Sequence, residues 1–503
     1  MQAAHNELIT RVGPGTPCGE LLRRYWHPVA LLDEFEPRLD PAMAKRPLKA
    51  VRLLGQDFIL WRDAEGRYSL LDRDCPHRGA DLKYARHEGD GVRCPFHGWK
   101  FAADGRCLET PAEPSINGIA STLCQRVRQR SYPLRQAAGT LFAYLGPDPA
   151  VPGAPPLPHL PGFDCFAAPA THSFAFKGLW RCNWLQAFEV GIDPSHASFL
   201  HRMLDEDTDP GHTYGRQFRG ASVGEVDGER WPMTRILREF HSPEIRFEPL
   251  GPAGLSVSGL TRLTTLRIVN ERLTHVRVTN ALFPYTFVIP LSETVTITQM
   301  HVPVDDVNTY WYSFFTSFDA PLDKETMRAQ RLVNTELPDY LPKKGRHNDW
   351  GYDANEQATR TYLGMGEADI NVHDQWACES MGPIADRTRE HLGTSDKVIM
   401  ANRRTLVAAI DTVKAGGTPP GVFDAAAAAA LGGPDTIDCV APADRWETAW
   451  REGCAAKRAR AAWLQGGSDA AAPSAGGAAG AAGAGGAAGA AAPVDVPTNV
   501  PTA

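Results

Sequence analysis

Between residues 48 and 147 short apolar runs alternate with turn residues. VRLL, DFILW and YSLL are separated by breaks such as Asp63-Ala64-Glu65-Gly66, and LFAYLG closes the series at Gly146. Runs of this length bounded by turn formers predict short strands. Upstream, ELLRRYWHPVALLDEF predicts a short helix that packs through Tyr25, Trp26 and Leu31. PDPAVPGAPPLPHLPG, residues 147–162, is proline-rich and predicts a stiff linker. Farther on, LTRLTTLRIV, HVRVTN, FVIPL, VTITQMHVPV and YWYSFFTSF follow one another. Several alternate apolar and polar residues, which predicts a largely antiparallel sheet with one wet face. WRCNWLQAFEVGIDPSHASFLHRML predicts a helix in two pieces, broken near Pro194. PIADRTREHLG ends in Gly393 as a helix C-cap does, and SDKVIMANRRTLVAAIDTV begins at Ser395 as an N-cap does.

These patterns predict an α+β chain. A helical segment (1–45) precedes an all-β domain (46–147) and a linker (148–170). A second domain (171–415) carries the antiparallel sheet with flanking helices, and a helical extension (416–465) follows. The Ala/Gly-rich tail (466–503) has no aromatic residue to anchor a core and is expected to be disordered.

Composition narrows the function classes. Apolar residues are 43% and charged residues 22%, ordinary for a soluble globular protein. A net charge of −7 points to neither nucleic acid nor an anionic membrane as partner. No apolar run approaches the roughly 18 residues of a membrane span. MQAAHNELITRV lacks the basic patch and apolar core of a signal peptide, so a cytoplasmic location is expected. The ten cysteines are scattered, and in a reducing compartment they read as thiols or metal ligands.

Two of those cysteines have histidines at matched distances. Cys75-x-His77 lies in CPHRGADL and Cys94-x2-His97 in CPFHGWKF, with sixteen residues between. Structural zinc sites usually group cysteines with cysteines and histidines with histidines. One of each per loop suits a [2Fe–2S] cluster of the Rieske kind, with two cysteines on one iron and two histidines on the other. Pro76 and Pro95 stiffen the turns, and Gly79 and Gly98 allow close backbone approach. Cys107, without a partner at such spacing, reads as a buried thiol.

A second constellation lies in CNWLQAFEVGIDPSHASFLHR, which carries Asp193, His196 and His201. Two nearby histidines with a distant carboxylate are the recipe for a 2-His-1-carboxylate iron(II) site, although by itself the pair also reads as two partly exposed histidines. Five residues apart on a regular helix, the histidines would sit about 140° from one another, so the helix must end or bulge between them. Asp193, three before His196, reads either as an orienting carboxylate or as a cap.

Together these stretches resemble the Rieske non-haem iron aromatic-ring oxygenases. ELITRVGPGTPCGELLRRYWHPVAL and DQWACESMGPIADRTREHLGTSD resemble the phthalate dioxygenase subgroup. The resemblance implies a Rieske domain followed by a helix-grip catalytic domain. It implies a cluster on Cys75, His77, Cys94 and His97, and a mononuclear iron on His196, His201 and a late aspartate. Asp374 is the choice, since the family places Glu or Gln shortly after its ligand, as Glu379 is here; Asp369, Asp386 and Asp396 compete. It implies that Asp193 bridges the cluster of one subunit to the iron of the next, within a homotrimer or stacked trimers. Asn183, Gln186 and Glu189 are expected to add contacts around that path.

The resemblance further implies O2 as co-substrate and a separate reductase drawing on NAD(P)H, because no stretch reads as a flavin or nicotinamide site. The expected reaction is hydroxylation of an aromatic carboxylate, phthalate-like or a substituted benzoate, by cis-dihydroxylation. Monooxygenation or O-demethylation of a methoxylated aromatic acid is the alternative. An electron carrier without oxygen chemistry and a zinc protein are remoter readings. A carboxylated substrate needs a buried cation, and arginine pairs with it bidentately. In GLTRLTTLRIV, Arg262 shares a face with Leu260, Leu266 and Ile268, and Arg267 lies on the other. Arg262 therefore needs a partner, either a substrate carboxylate or an internal ion pair. Arg216 and Arg219 in TYGRQFRG are further candidates.

Overall fold

The computed structural model describes residues 1–114, 121–204, 222–226, 229–250, 259–366 and 369–465. The tail expected to be disordered lies outside the described residues.

The turn-bounded apolar runs form strands. Leu48–Leu53, Gln56–Arg62, Tyr68–Asp72 and Ser131–Tyr132 make one four-stranded antiparallel sheet. A second links Arg86–His87, Gly91–Arg93, Lys100–Ala102 and Cys107–Glu109. Ile59, Trp61, Leu71, Val92 and Phe101 fill the core that carries Cys75 and Cys94.

ELLRRYWHPVALLDEF is not the helix its apolar spacing predicts. Pro17–Leu22 is helical and Leu32–Phe35 is a 3-10 turn, but between them Trp26–Leu31 is a strand paired with Thr140–Tyr144. Pro28 is the reason: it lacks an N–H and its ring would collide with the carbonyl four residues back in a helix. The strand accommodates it at a register shift between Pro28 and Ala30.

The second half is built on an eight-stranded antiparallel sheet. Its order is Ser173–Trp180, Thr309–Ser317, Val295–Pro303, Thr286–Pro290, Leu273–Leu282, Leu260–Ile268 and Glu244–Leu250. The eighth strand, Ile437–Pro442, lies in the extension expected to be helical. Thr286–Pro290 pairs with Leu273–Leu282 only at Asn280 to Leu282, and Ile437–Pro442 takes the edge from Leu273 to Val278.

Alternation then separates two faces. On one, Leu266, Val276 and Val278 pack against Trp450 and Cys454 of the Trp446–Arg460 helix. On the other, Leu263, Thr265 and Arg267 stand opposite Thr279, Arg277 and His275. The Trp184–Gly191 helix reaches the second face. A Cβ on Gly191 would lie 2.0 Å from the Phe287 ring, so only glycine allows this approach.

PIADRTREHLG is also not helical, because its charges are committed elsewhere. Arg387 Nη2 lies 3.0 Å from Glu189, Arg403 Nε lies 2.5 Å from Glu189, and Glu390 joins through Arg403. Burial alone would raise the Glu189 carboxyl, but Arg387 and Arg403 outweigh it and hold it below the usual range. Asp386 accepts from the Thr388 N–H, and Gly393 leads through a 3-10 turn into Lys397–Lys414. Removing one partner of a buried ion cluster strands the others. Glu189→Ala is therefore expected to cost about 3–5 kcal/mol in urea unfolding. An apolar replacement of Glu189, Arg387 and Arg403 together is expected to recover most of it. An unchanged unfolding curve for Glu189→Ala would show the cluster to be idle.

Candidate active site and its metal centres

The twin loops fold alike. Cys75 N–H donates to Ala80 O (2.9 Å) and Gly79 N–H to Cys75 O (2.8 Å). In the second loop Cys94 N–H donates to Trp99 O (2.8 Å) and Gly98 N–H to Cys94 O (3.0 Å). Gly79 and Gly98 share φ of +74°, the left-handed conformation that glycine adopts without strain. The thiols are buried, and the His77 and His97 rings lie with centroids 4.5 Å apart. His77 stacks on Trp99 at 4.3 Å. His97 Nδ1 is buried and has no hydrogen-bond partner, an acceptor position that a metal would satisfy. Burial pushes the Cys75 thiol up to about 11, while the His77 and Arg78 N–H groups act in the opposite sense. Iron binding as thiolate reverses that preference for the proton. Tyr84 and Phe96 stand exposed. Cys107, expected to be buried, is half-buried beside Cys124, whose thiol donates to the Cys107 carbonyl (2.9 Å).

The second centre forms where the Trp184–Gly191 helix ends. His196–Ser198 is a single 3-10 turn, and this break brings His196 and His201 together with ring centroids 5.1 Å apart. Asp374 comes from the first turn of Asn371–Ser380. Its Oδ1 lies 3.1 Å from His201 Nε2 and 3.8 Å from His196 Nε2. One donor atom from each residue falls within 4.8 Å of the others, a set that could hold a metal ion. The competing aspartates are committed elsewhere. Asp369 pairs with Arg331 (2.8 Å), and Asp396 accepts from Gly393 N–H (2.7 Å).

Hydrogen bonds set the ring tautomers. His196 Nδ1–H donates to Asp193 O (2.5 Å), which turns Nε2 toward Asp374. His373, which sequence reasoning missed, donates from Nε2 to Gly366 O (2.7 Å). Its Nδ1 then accepts from His201 Nδ1–H (3.4 Å), so His201 presents Nε2 to Asp374. The only sequence signal for His373 is its place beside Asp374. Asp374 Oδ1 is buried without a hydrogen-bond partner and faces two imidazole nitrogens. Such a meeting of acceptors fits a cation. Burial lowers His201 to about 3 and His373 to about 4, and lowers His196 too. Burial raises the Asp374 carboxyl to about 6, with His196 and His373 opposing. At neutral pH the imidazoles are neutral and the carboxylate is ionised, the forms that ligate iron.

Behind the ligands the inner cavity is lined by Leu237, Leu263, Phe287 and Ile289, with Thr265, Thr279 and Gln299 among them. Arg267 enters it, 2% exposed, with Nη2 3.2 Å from Ser198 Oγ and 3.4 Å from Pro194 O. Its Nε and Nη1 are buried without hydrogen-bond partners. Arg277 enters beside it and pairs with Asp438, which also accepts from His275 Nε2 (2.6 Å).

Other expected residues fall elsewhere. Arg262 does not face the ligands. It pairs with Glu248 (2.6 Å) and lies over the Trp450 ring, because the apolar face of its strand packs on the C-terminal helix. Arg216 and Arg219 lie outside the described residues. Asn183 caps the Trp184–Gly191 helix, accepting from Leu185 N–H (3.1 Å), and ties it to Thr10 O and Asp306 O. Glu189 belongs to the buried ion cluster. Gln186 clamps that helix to Cys378 O (2.9 Å) and Gly382 O (2.8 Å). Asp193 stands at the wall of the cavity, its Oδ1 accepting from Ser195 N–H (2.8 Å). With His196 it also lines an outer groove bearing the exposed Phe199, Tyr352, Tyr362, Met381 and Leu392.

Residues 33–129 match the Rieske [2Fe-2S] domain, and residues 261–458 match the LigXa C-terminal domain like family. The chain is 31% identical over 419 residues to the phthalate 4,5-dioxygenase oxygenase subunit of Pseudomonas putida, covering 82% of this chain and 86% of that one. The chain belongs to the Rieske non-haem iron oxygenases. A 5,5'-dehydrodivanillate O-demethylase oxygenase subunit from Sphingobium sp. is 29% identical over 437 residues, 84% of each chain. The oxygenase subunit of a tert-butanol monooxygenase / tert-amyl alcohol desaturase from Aquincola tertiaricarbonis is 31% identical, over 83% of this chain and 78% of that one. This Rieske oxygenase is an oxidoreductase of the phthalate dioxygenase-like subgroup, the oxygenase component of its system. It carries a Rieske [2Fe–2S] cluster and a mononuclear iron, and it works with a separate electron-transfer partner. Among the described residues, no helix is long and apolar enough to cross a membrane.

Proposed function

We propose that this oxygenase inserts oxygen into an aromatic carboxylate by cis-dihydroxylation. The observation that carries the reading is Arg267, a buried guanidinium in the inner cavity with two donors lacking partners. Leaving such donors unpaired is costly, and a carboxylate entering the cavity satisfies one of them. The aromatic ring then lies among Leu263, Phe287 and Ile289, beside the ligand cluster.

Cys75, His77, Cys94 and His97 would hold the cluster, and His196, His201 and Asp374 the iron. When bound, the cluster supplies single electrons and the iron activates oxygen. The chain's part is positional. Asp193 and His373 hold the two imidazoles in their tautomers, Arg267 orients the acid, and the apolar wall limits water. Electrons come from an NAD(P)H-dependent reductase, in the cytoplasm. In a homotrimer or stacked trimers, Cys75, His77, Cys94 and His97 of one subunit would hold the cluster that supplies electrons to the iron held by His196, His201 and Asp374 of the next, with Asp193 between them. The exposed Tyr84 and Phe96 beside the cluster loops and the aromatic outer groove at Asp193 favour such a contact.

O-demethylation of a methoxylated aromatic acid is the second reading, favoured by the likeness to the dehydrodivanillate demethylase. A single-turnover assay with labelled dioxygen separates the two. Pre-reduced protein is offered benzoates and methoxybenzoates, and products are weighed by mass spectrometry. Two labelled atoms in a diol support the proposal; an unlabelled phenol released with formaldehyde supports the second reading, because the phenol keeps the methoxy oxygen and the label leaves with the carbon; turnover of neutral aromatics alone overturns both. Arg267→Gln is expected to raise KM for the acid roughly 10- to 100-fold, the worth of a hydrogen bond to a charged group. An unchanged KM would remove Arg267 from the binding site.

A further inference from the structure

We propose that Asp438, supplied by the C-terminal strand, makes the cavity select aromatic monocarboxylates over dicarboxylates by occupying Arg277. The inference rests on the carboxylate reading of Arg267. Arg267 and Arg277 sit on adjacent antiparallel strands, with Arg267 opposite His275 and Arg277 opposite Thr265. They are diagonal neighbours on the face that lines the cavity, a relation that sets residues about 7–8 Å apart and their Cβ atoms somewhat closer. By themselves, two guanidiniums so spaced would form a clamp for both carboxylates of a benzene dicarboxylate.

The Ile437–Pro442 strand changes that. It joins the other edge of Leu273–Leu282 with Asp438 directly opposite Arg277. The Asp438 carboxylate takes Arg277 on one oxygen and His275 on the other. One cation is thus matched within the protein, and Arg267 keeps its two unpartnered donors. A second substrate carboxylate would meet a cation already paired and the negative charge of Asp438 beside it. Asp438 is a specificity-determining residue that acts through Arg277.

The test is calorimetric titration of the anaerobic, iron-loaded protein with benzoate, phthalate, isophthalate and terephthalate. The wild type is expected to bind benzoate at least tenfold more tightly than any of the diacids. Asp438→Asn is expected to narrow that ratio at least tenfold, about 1.4 kcal/mol. Arg277→Gln breaks the same ion pair but exposes no cation, so it is expected to bring no gain for the diacids. Equal shifts in the two variants would mean general damage and overturn the inference. A wild type that prefers a diacid overturns it as well, and this arm decides alone if Asp438→Asn does not fold. If no acid binds while toluene does, the carboxylate reading itself falls, and the inference with it.

Discussion

Asp374→Asn is expected to yield a folded, coloured protein that has lost its mononuclear iron and its turnover. Asparagine preserves size but replaces the anionic oxygen nearest both imidazoles by a neutral amide. The site then has no charge to offset a divalent cation in a buried setting. Even indirect perturbation of a ligand costs roughly 10- to 100-fold in metal affinity, and direct loss is expected to exceed that. The cluster is held by other residues, so its visible absorption should remain. Iron per chain, with the cluster contribution subtracted, is the readout. Asp369→Asn is the control: it breaks the buried pair with Arg331 and is expected to lower stability while leaving iron in place. Retention of the third iron in Asp374→Asn, or its loss in Asp369→Asn, would move the ligand assignment.

Much of this site was legible because its chemistry is written in short, local spacings. The cluster residues lie within one stretch of 23 residues, Cys75 to His97, and His196 and His201 lie five apart with Pro194 marking the break. Asp374 lies far along the chain and was reached only through a family pattern, and the fold brings it to 3.1 Å from His201. Of the two partners open to Arg262 the structure supplies the internal one, Glu248, and the cation that lines the cavity is Arg267. Alternation in GLTRLTTLRIV separates Arg262 from Arg267 correctly, but alternation does not say which face meets the ligands. The apolar face of that strand packs against Trp450, some 180 residues later, and the mixed face lines the cavity. Asp438 was invisible for the same reason, since it acts only through a strand pairing over about 160 residues. The helices expected at ELLRRYWHPVAL and PIADRTREHLG failed on one proline and one ion cluster, Pro28 and the pairs of Arg387 and Glu390. Both are cases in which local propensity yields to a specific steric or tertiary demand.

Asp193→Asn is expected to keep both metal centres and lose turnover by roughly two orders of magnitude, the scale of a lost positioned proton acceptor. The amide oxygen can still accept from Ser195 N–H, and the Asp193 carbonyl still receives His196 Nδ1–H, so the ligand geometry is preserved. What disappears is the negative charge between His196 and the outer groove. If a cluster histidine of a neighbouring subunit docks there, that charge is the link between the two imidazoles. Rapid mixing of the reduced variant with oxygen and substrate should show slow reoxidation of the cluster at unchanged iron content. Subunit mixing then asks whether the link crosses between chains. A His97→Ala chain lacks a cluster ligand, an Asp374→Asn chain lacks an iron ligand, and each alone is expected to be inactive. Mixed oligomers place an intact cluster of one chain against an intact iron site of another, so partial recovery of activity is expected. Adding Asp193→Asn to the His97→Ala chain, which holds the working iron site, should abolish that recovery; adding it to the Asp374→Asn chain should not. No recovery in oligomers shown to be mixed would place the electron path within a single chain and leave Asp193 with only its capping role.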